Sequence, residues 1–461
     1  MKITRITYLI IACLFIGGSL HAQVWKAKAI SELNKGEFAK VEQTISKLSE
    51  AEKGKHAWLI DSLQAMMSRI RDDFRLSREE GKKLLLEKVP GATDKQIESW
   101  KQKKYLETRI IDGEERWFRK TISNFVLLNR ELFTAEMVKD KKKEYAKLHT
   151  QCENILSQPV GDNHTCDWKK VNASFFIEVP ADAVPAGEVI KAWLPYPFDN
   201  GRQRNFQLLS TSSPATHSEG SLHHTVYMEQ KAVKGQPTRF EMKFSYEVGA
   251  QVFPQEEILK NLKPYDKQSD LYKKYTVQEL PHMLVNKQMK ALAQKIVGGE
   301  TNPVLQASMI YDWISANYPW AGAIDYSTIP CMPQYVLDIH HGDCGQVTLL
   351  YISMLRSLGI PARWESGWVF DETGWTGYHD WGEIYFEGIG WVPTDVSAGR
   401  DTYGERYSDF FKTCTDAYRL ASNEGIGGEL SPKKQYIRRE TVDFQAGEVE
   451  WKGGNLTQWK S

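Results

Sequence analysis

Apolar positions change their period along this chain, and each change marks a region. From residue 24 to 76 they recur at helical spacing: Leu33, Phe38, Val41, Ile45 and Leu48 form one stripe, and the bias continues through Leu59 to Ile70. Such a stripe predicts helices that bury one face in their own domain. Thr93 followed by Gln96 fits a capping box and predicts a helix over 94–101. Segments 106–111 and 116–122 flank Asp112-Gly113-Glu114-Glu115 and read as a hairpin. The Lys-rich run 138–147 reads as a solvated helix face or linker. From about 167 to 254 the pattern becomes one of short strands. Segments 173–179, 189–194, 206–209, 225–230 and 239–248 are separated by Pro, Gly, Asn and Ser clusters, the spacing of a β-sandwich.

Helical spacing then returns over 255–320, where Asn302 suits an N-cap, Pro303 the first helical position, and Met309, Ile310, Trp313 and Ile314 the apolar face. Val347, Leu350, Tyr351, Met354, Leu355 and Leu358 predict another helix, stopped by Gly359 and Pro361. Residues 378–386 read as a strand, and 391–395 as its hairpin partner across Glu387-Gly388-Ile389-Gly390. Residues 448–451 read as the last strand. The predicted fold class is multidomain α+β: a mainly helical N-terminal region with a hairpin over 23–160, a β-sandwich over 161–255, an α+β core over 256–400, and a C-terminal extension over 401–461 that completes the core.

Three residues in this framework suit one chemistry. Cys344, between Gly342-Asp343 and Gly345, opens the predicted helix. Free N–H groups and the positive end of the helix dipole favour a thiolate there, and the glycines leave room for a substrate carbonyl. Alone, Cys344 reads equally well as a small buried hydrophobe. His379 and Asp395 each lie eight residues from Glu387. A turn centred on Glu387 sets them opposite each other on one side of the hairpin; a turn nearer Gly388-Ile389 slips the register. Cys, His and Asp would then serve as nucleophile, base, and the carboxylate that orients the base.

Four ordered motifs carry a wider likeness: Gly342-Asp343-Cys344-Gly345; Leu358-Gly359-Ile360-Pro361-Ala362-Arg363; His379-Asp380-Trp381-Gly382-Glu383-Ile384-Tyr385; and Gly390-Trp391-Val392-Pro393-Thr394-Asp395. Over about 256–400 the chain resembles the transglutaminase-like superfamily of papain-like, cysteine-protease-like folds. The resemblance implies Cys344 as nucleophile, His379 as general base and then acid, and Asp395 as the His-orienting carboxylate. It also implies an oxyanion donor, for which the Cys344 backbone N–H and the side chains of Trp320 and Tyr318 are candidates. Gln346 ranks lower because it points along the helix. Core packing is the competing reading of Trp320 and Tyr318. Trp381, with Trp364, Trp368 and Trp375, is a candidate wall of a peptide groove, or core. Ser397 stands where the family often has a proline. The run 191–197 resembles the β domain that precedes the catalytic domain in many bacterial relatives.

Composition narrows the partners. The chain has 461 residues, with 59 basic and 59 acidic side chains, which removes the electrostatic case for binding nucleic acid or anionic membrane. Lys2 and Arg5 before the apolar run 8–16, then residues 17–22 ending in Ala22, predict an export signal over 1–22 and a periplasmic or secreted protein. The segment 10–13 faintly resembles a lipoprotein box, but the apolar run continues past Cys13, against a lipid anchor. Of six cysteines, Cys152 and Cys166 could pair, and Cys331 and Cys414 could pair or stay free. A metal set of Cys331, His340, His341 and Cys344 fits no common zinc spacing and would consume the nucleophile. No cofactor and no metal are predicted. The expected activity is hydrolysis of amide or isopeptide bonds in a peptide, protein or peptidoglycan-type substrate. Transamidation to a lysine acceptor, removal of Asn-linked glycans, and a non-catalytic scaffold remain open.

Overall fold

The computed structural model describes residues 20–218, 222–398, 409–457 and 459–460. The predicted leader lies outside them, apart from the first turn of the helix Leu20–Lys35. The chain is a mixed α+β protein whose contacts divide it into two compact units, 1–132 with 321–330, and 133–320 with 331–461.

The first unit carries the predicted helical stripe. Phe38, Val41 and Ile45 are buried on the helix Phe38–Ser46, and Leu59, Leu63, Met67 and Ile70 on Ala57–Asp73. The capping box at Thr93 forms as expected, with Gln96 N donating to Thr93 Oγ1 at 3.4 Å and Thr93 N to Gln96 Oε1 at 2.8 Å. Asp112 and Gly113 both take positive φ, +50° and +86°, which is what a two-residue turn between Thr108–Ile111 and Glu114–Trp117 needs. Residues 321–330 lie within the span expected to form the core, and their contacts group them with this unit. Asn124 holds the Gly322 backbone by two reciprocal bonds of 2.8 and 2.9 Å, Asp325 N donates to Asp73 Oδ2 at 2.5 Å, and Arg69 Nη1 donates to Ser327 Oγ at 2.7 Å. The unit's boundary also falls at Leu132 rather than near 160, so the charged run forms part of a 22-residue helix, Ala135–Leu156, of the second unit.

In the second unit, the strands Thr165–Val179, Gln203–Thr211 and Thr238–Val252 form one sheet with Cys414–Thr415. A second sheet runs in the order Gly454–Leu456, Glu448–Trp451, Val189–Pro195, Thr225–Lys231, Ala215–Ser218. Alternate residues of both sheets meet in one cluster: Ile177, Phe240, Met242 and Phe244 from the first, Ala192, Leu194, Val226, Met228 and Val449 from the second. Trp368 and Leu420 join the same cluster from a third sheet.

That third sheet is antiparallel and carries the predicted chemistry. Its order is Gly390–Thr394, Gly374–Phe386, Ala362–Asp371, Arg419–Asn423. The helix Cys344–Ser357 is buried along almost its whole length. It lies against the sheet at Gly382, where a Cβ would meet Ile352 and Thr348. Gly367, at the pairing of Ala362–Asp371 with Arg419–Asn423, is required sterically: a Cβ there would sit 1.8 Å from the Leu420 carbonyl oxygen.

Candidate active site

Cys344 begins its helix because Asp343 caps it. Gln346 N donates to Asp343 Oδ1, and Asp343 N donates to Gln346 Oε1, each at 3.1 Å. Upstream, Gly342 N donates to the Pro319 carbonyl at 3.3 Å, and Trp320 forms a parallel bridge with Gly342. The Trp320 backbone is therefore fixed beside the approach to Cys344, and its side chain is 46% exposed. Tyr318 is buried against Trp313, and burial pushes its phenol up to about 12.

The hairpin pairs Gly382 with Thr394, which centres the turn on Gly388 rather than Glu387. Two-residue parity is kept, so His379 and Asp395 meet on one face as a diagonal pair, not as directly opposed residues. His379 Nε2 lies 2.6 Å from Asp395 Oδ2. The other partners of the Asp395 carboxylate all follow it in sequence. Ser397 N at 3.0 Å, Ser397 Oγ at 2.8 Å and Ala398 N at 3.1 Å bond Oδ1, while Arg419 Nη1 bonds Oδ2 at 2.5 Å. Ser397 thus closes the turn at the position where a proline was expected. Burial alone would raise the Asp395 carboxyl, but His379 and Arg419 outweigh it and hold it well below the ordinary range. An ionised Asp395 can only accept, so His379 Nε2 carries the proton and Nδ1 is left as the basic nitrogen.

The thiol behaves differently from expectation. Cys344 Sγ donates its hydrogen bond to Asp380 Oδ2, at 3.4 Å, rather than to His379. Burial first, then the Asp380 and Asp343 carboxylates, push the thiol well above its usual value. The helix terminus taken alone predicts a lowered value. That effect is worth only about 0.3–1 kcal/mol, less than one pK unit, and loses to desolvation and two close acids. Asp380 is itself buried; burial and Asp343 raise its carboxyl well above the normal range, opposed by its bonds to Cys344 and Gln445. Gln445 Nε2 donates to Asp380 Oδ1 at 2.7 Å and to the His379 carbonyl at 2.8 Å, and its own carbonyl accepts from Trp368 Nε1 at 2.9 Å.

Trp381 is not the groove wall or substrate group the sequence suggested. It is 1% exposed, its Nε1 donates to Glu365 Oε2 at 2.6 Å, and its ring stacks against His379 with centroids 5.9 Å apart. Its place is behind the imidazole, where it fixes the ring's tilt. Glu365 is anchored in turn by Asn200 Nδ2 at 3.1 Å. Asp380, Arg419, Gln445 and Glu365 were all missed as site residues. Only Asp380 carries a signal in the sequence, its place inside the motif that begins at His379.

Cys152, Cys166, Cys331, Cys344 and Cys414 are all free thiols in this structure, so neither considered disulfide forms; Cys152, Cys166 and Cys414 share one apolar cluster. Among the described residues no group of three or more His, Cys, Asp or Glu could hold a metal, and no helix is long and apolar enough to cross a membrane.

Comparison with known proteins bears on the same segment. The family model of the transglutaminase-like superfamily matches residues 290–396. An uncharacterized protein of Haemophilus influenzae is 27% identical over 167 residues, covering 29% of this chain and 43% of its own length. The uncharacterized protein YebA of Bacillus subtilis is 26% identical over 139 residues, covering 26% of this chain and 19% of its own. The chain therefore spans less than half the length of these curated relatives. Among solved structures, similarity extends to a provisionally assigned cysteine protease from Cytophaga hutchinsonii, at 14% identity and TM-score 0.38, over 62% of this chain and 100% of that one. It extends also to the periplasmic domain of TgpA from Pseudomonas aeruginosa, at 16% identity and TM-score 0.25, over 48% of this chain and 86% of that one. The segment 290–396, which holds Cys344, His379 and Asp395, is thereby identified as a domain of the transglutaminase-like superfamily.

Proposed function

We propose that this protein is an exported cysteine-nucleophile acyl-transfer enzyme that hydrolyses amide or isopeptide bonds in peptides or proteins. The observation that carries the reading is the buried, ionised Asp395 bonded to His379 Nε2, which leaves Nδ1 as a base on the strand beside the helix that begins at Cys344.

The resting thiol is neutral and donates to Asp380. As substrate enters, Cys344 Sγ attacks the carbonyl carbon and its proton passes to His379 Nδ1. Asp395 stabilises the resulting imidazolium. The tetrahedral intermediate collapses as the C–N bond breaks, and the departing amine takes the proton from His379. Water then attacks the thioester with His379 as base, and the thiol leaves with that proton returned. The Cys344 N–H is one donor for the oxyanion. Trp320 is the candidate side-chain donor, because it is exposed and pinned by backbone to Gly342; the buried Tyr318 is a weaker candidate. No cofactor takes part in this scheme, and the amine of a lysine in place of water would give transamidation through the same thioester.

The test uses p-nitrophenyl acetate as a generic acyl donor. A burst of one nitrophenolate per protein molecule, lost in both Cys344→Ala and His379→Ala, is expected. No burst in the parent protein, or an undiminished burst in His379→Ala, sinks the reading and leaves a binding scaffold as the better account.

A further inference from the structure

Among the described residues one long strand keeps an edge without a full partner strand. The strand Thr165–Val179 pairs on one side with Thr238–Val252, in unbroken register from Lys169 to Val179. In an antiparallel strand the N–H and C=O of one residue point the same way, and successive residues point to opposite sides. Near its end the strand's other side is in use: Glu178 N donates to the Lys460 carbonyl at 2.9 Å, and Lys460 N to the Glu178 carbonyl at 3.1 Å. Parity then directs the backbone groups of Lys170, Asn172, Ser174 and Phe176 to that same side. Among the described residues no strand continues the pairing begun by Lys460.

A groove of about 820 Å³ follows this edge. Its opposite wall is the turn of the hairpin formed by Ala362–Asp371 and Gly374–Phe386. Phe175 and Trp368 stack in it with centroids 4.8 Å apart, and Trp375 and Tyr378 meet edge to face at 5.4 Å. Trp375 is 61% exposed, a large aromatic on a groove wall. Tyr378 and Asp380 lie on one face of their strand, two residues or about 7 Å apart, and Asp380 touches Cys344 Sγ. Gln445, bonded to both Trp368 and Asp380, stands between the groove and the thiol.

We propose that this groove holds a segment of the acyl-donor polypeptide as an added β-strand, with bulky apolar side chains at alternate positions, outside the immediate surroundings of Cys344. The proposal rests on the acyl-transfer reading and names its substrate class: an extended, unfolded polypeptide segment rather than a folded surface. A row of main-chain donors and acceptors at strand spacing is complementary to another strand, and the chain's own Lys460 already pairs on this edge. Aromatic walls supply the apolar contact for alternate side chains. From Lys170 to Phe176 the open ladder is long enough for about six or seven residues of substrate at about 3.4 Å each.

The experiment uses full-length Cys344→Ala and a fluorescein-labelled octapeptide alternating valine and glutamine. Fluorescence anisotropy should show saturable binding. The same peptide N-methylated at alternate residues on its pairing edge should bind at least tenfold more weakly. Asn172→Pro removes one outward N–H without touching the inner ladder, and should weaken binding as much while leaving the thermal midpoint unchanged; Asn172→Ala should bind as the parent does. Absence of saturable binding up to millimolar peptide, or equal affinity for the methylated peptide, overturns the proposal. The nitrophenyl acetate burst separates the two failures. A normal burst with indifferent peptides refutes only the groove, whereas a missing burst refutes the acyl-transfer reading beneath it.

Discussion

Replacing Arg419 by methionine tests how the acidic end of the site is held. Arg419 is buried; its Nη1 lies 2.5 Å from Asp395 Oδ2, and its Nε and Nη2 each lie 3.3 Å from Asp416 Oδ2. At an effective dielectric of about 20, the closest contact alone is worth about 6–7 kcal/mol of attraction, most of which offsets the cost of drying the two ions. Arg419→Met keeps the volume and leaves Asp395 and Asp416 buried without that cation. The expected loss is about 3–5 kcal/mol, the usual penalty for breaking one half of a buried pair. The pH dependence follows in sign. Asp395 is held below its unfolded value, so its contribution is complete above about pH 4 and is lost as pH falls through the folded value. In the variant the carboxyl returns toward its ordinary range. The stability gap should therefore be flat from pH 5 to 8 and close as pH drops below about 4. Urea unfolding followed by tryptophan fluorescence, at several pH values, measures both. A gap under about 1 kcal/mol at pH 7, or one that widens in acid, would refute the reasoning.

Three further perturbations probe other parts of the molecule. Asp380→Asn removes the nearest acid from Cys344; since a carboxylate raises a neighbouring thiol, iodoacetamide should alkylate Cys344 faster at pH 7–8, by about tenfold per unit of pK recovered, and unchanged or slower labelling by peptide mass spectrometry would contradict this. Gly367→Ala forces a Cβ onto the Leu420 carbonyl and should cost at least about 1–3 kcal/mol in the unfolding of the second unit, with loss of the nitrophenyl acetate burst as the strand bearing Arg419 is displaced. Trp117, fully buried over Gly81 in the first unit, should cost about 3–5 kcal/mol on truncation to alanine, seen as an earlier calorimetric transition.

Local pattern made much of this architecture legible. Helical spacing located Cys344 on a first turn, alternation located the histidine strand, and Thr93, Asn302 and Pro303 marked helix starts that the structure shows capped as read. What pattern could not give was partnership between distant segments. Arg419 reaches Asp395 only because its strand pairs with Ala362–Asp371, a register set by Gly367 and not by anything near Arg419 itself. Gln445 reaches Asp380 from a segment with no regular structure. The segment 321–330 is flanked by core helices, yet its backbone is satisfied by Asn124 and Asp73, 198 and 252 residues earlier. The thiol's elevation was hidden for the same reason: the helix terminus is a local feature, whereas the acid that outweighs it arrives on another strand.

The supply of partners from late in the chain has a consequence for biosynthesis. Cys344, His379 and Asp395 all leave the ribosome before Arg419 and Gln445 do. A nascent chain that has reached only the end of the family-matched segment holds two acids destined for dry surroundings but lacks the cation and the amide that make those surroundings tolerable. Order around Cys344, His379 and Asp395 is thus timed by translation: these three residues are made early, and the partners their surroundings need are made late.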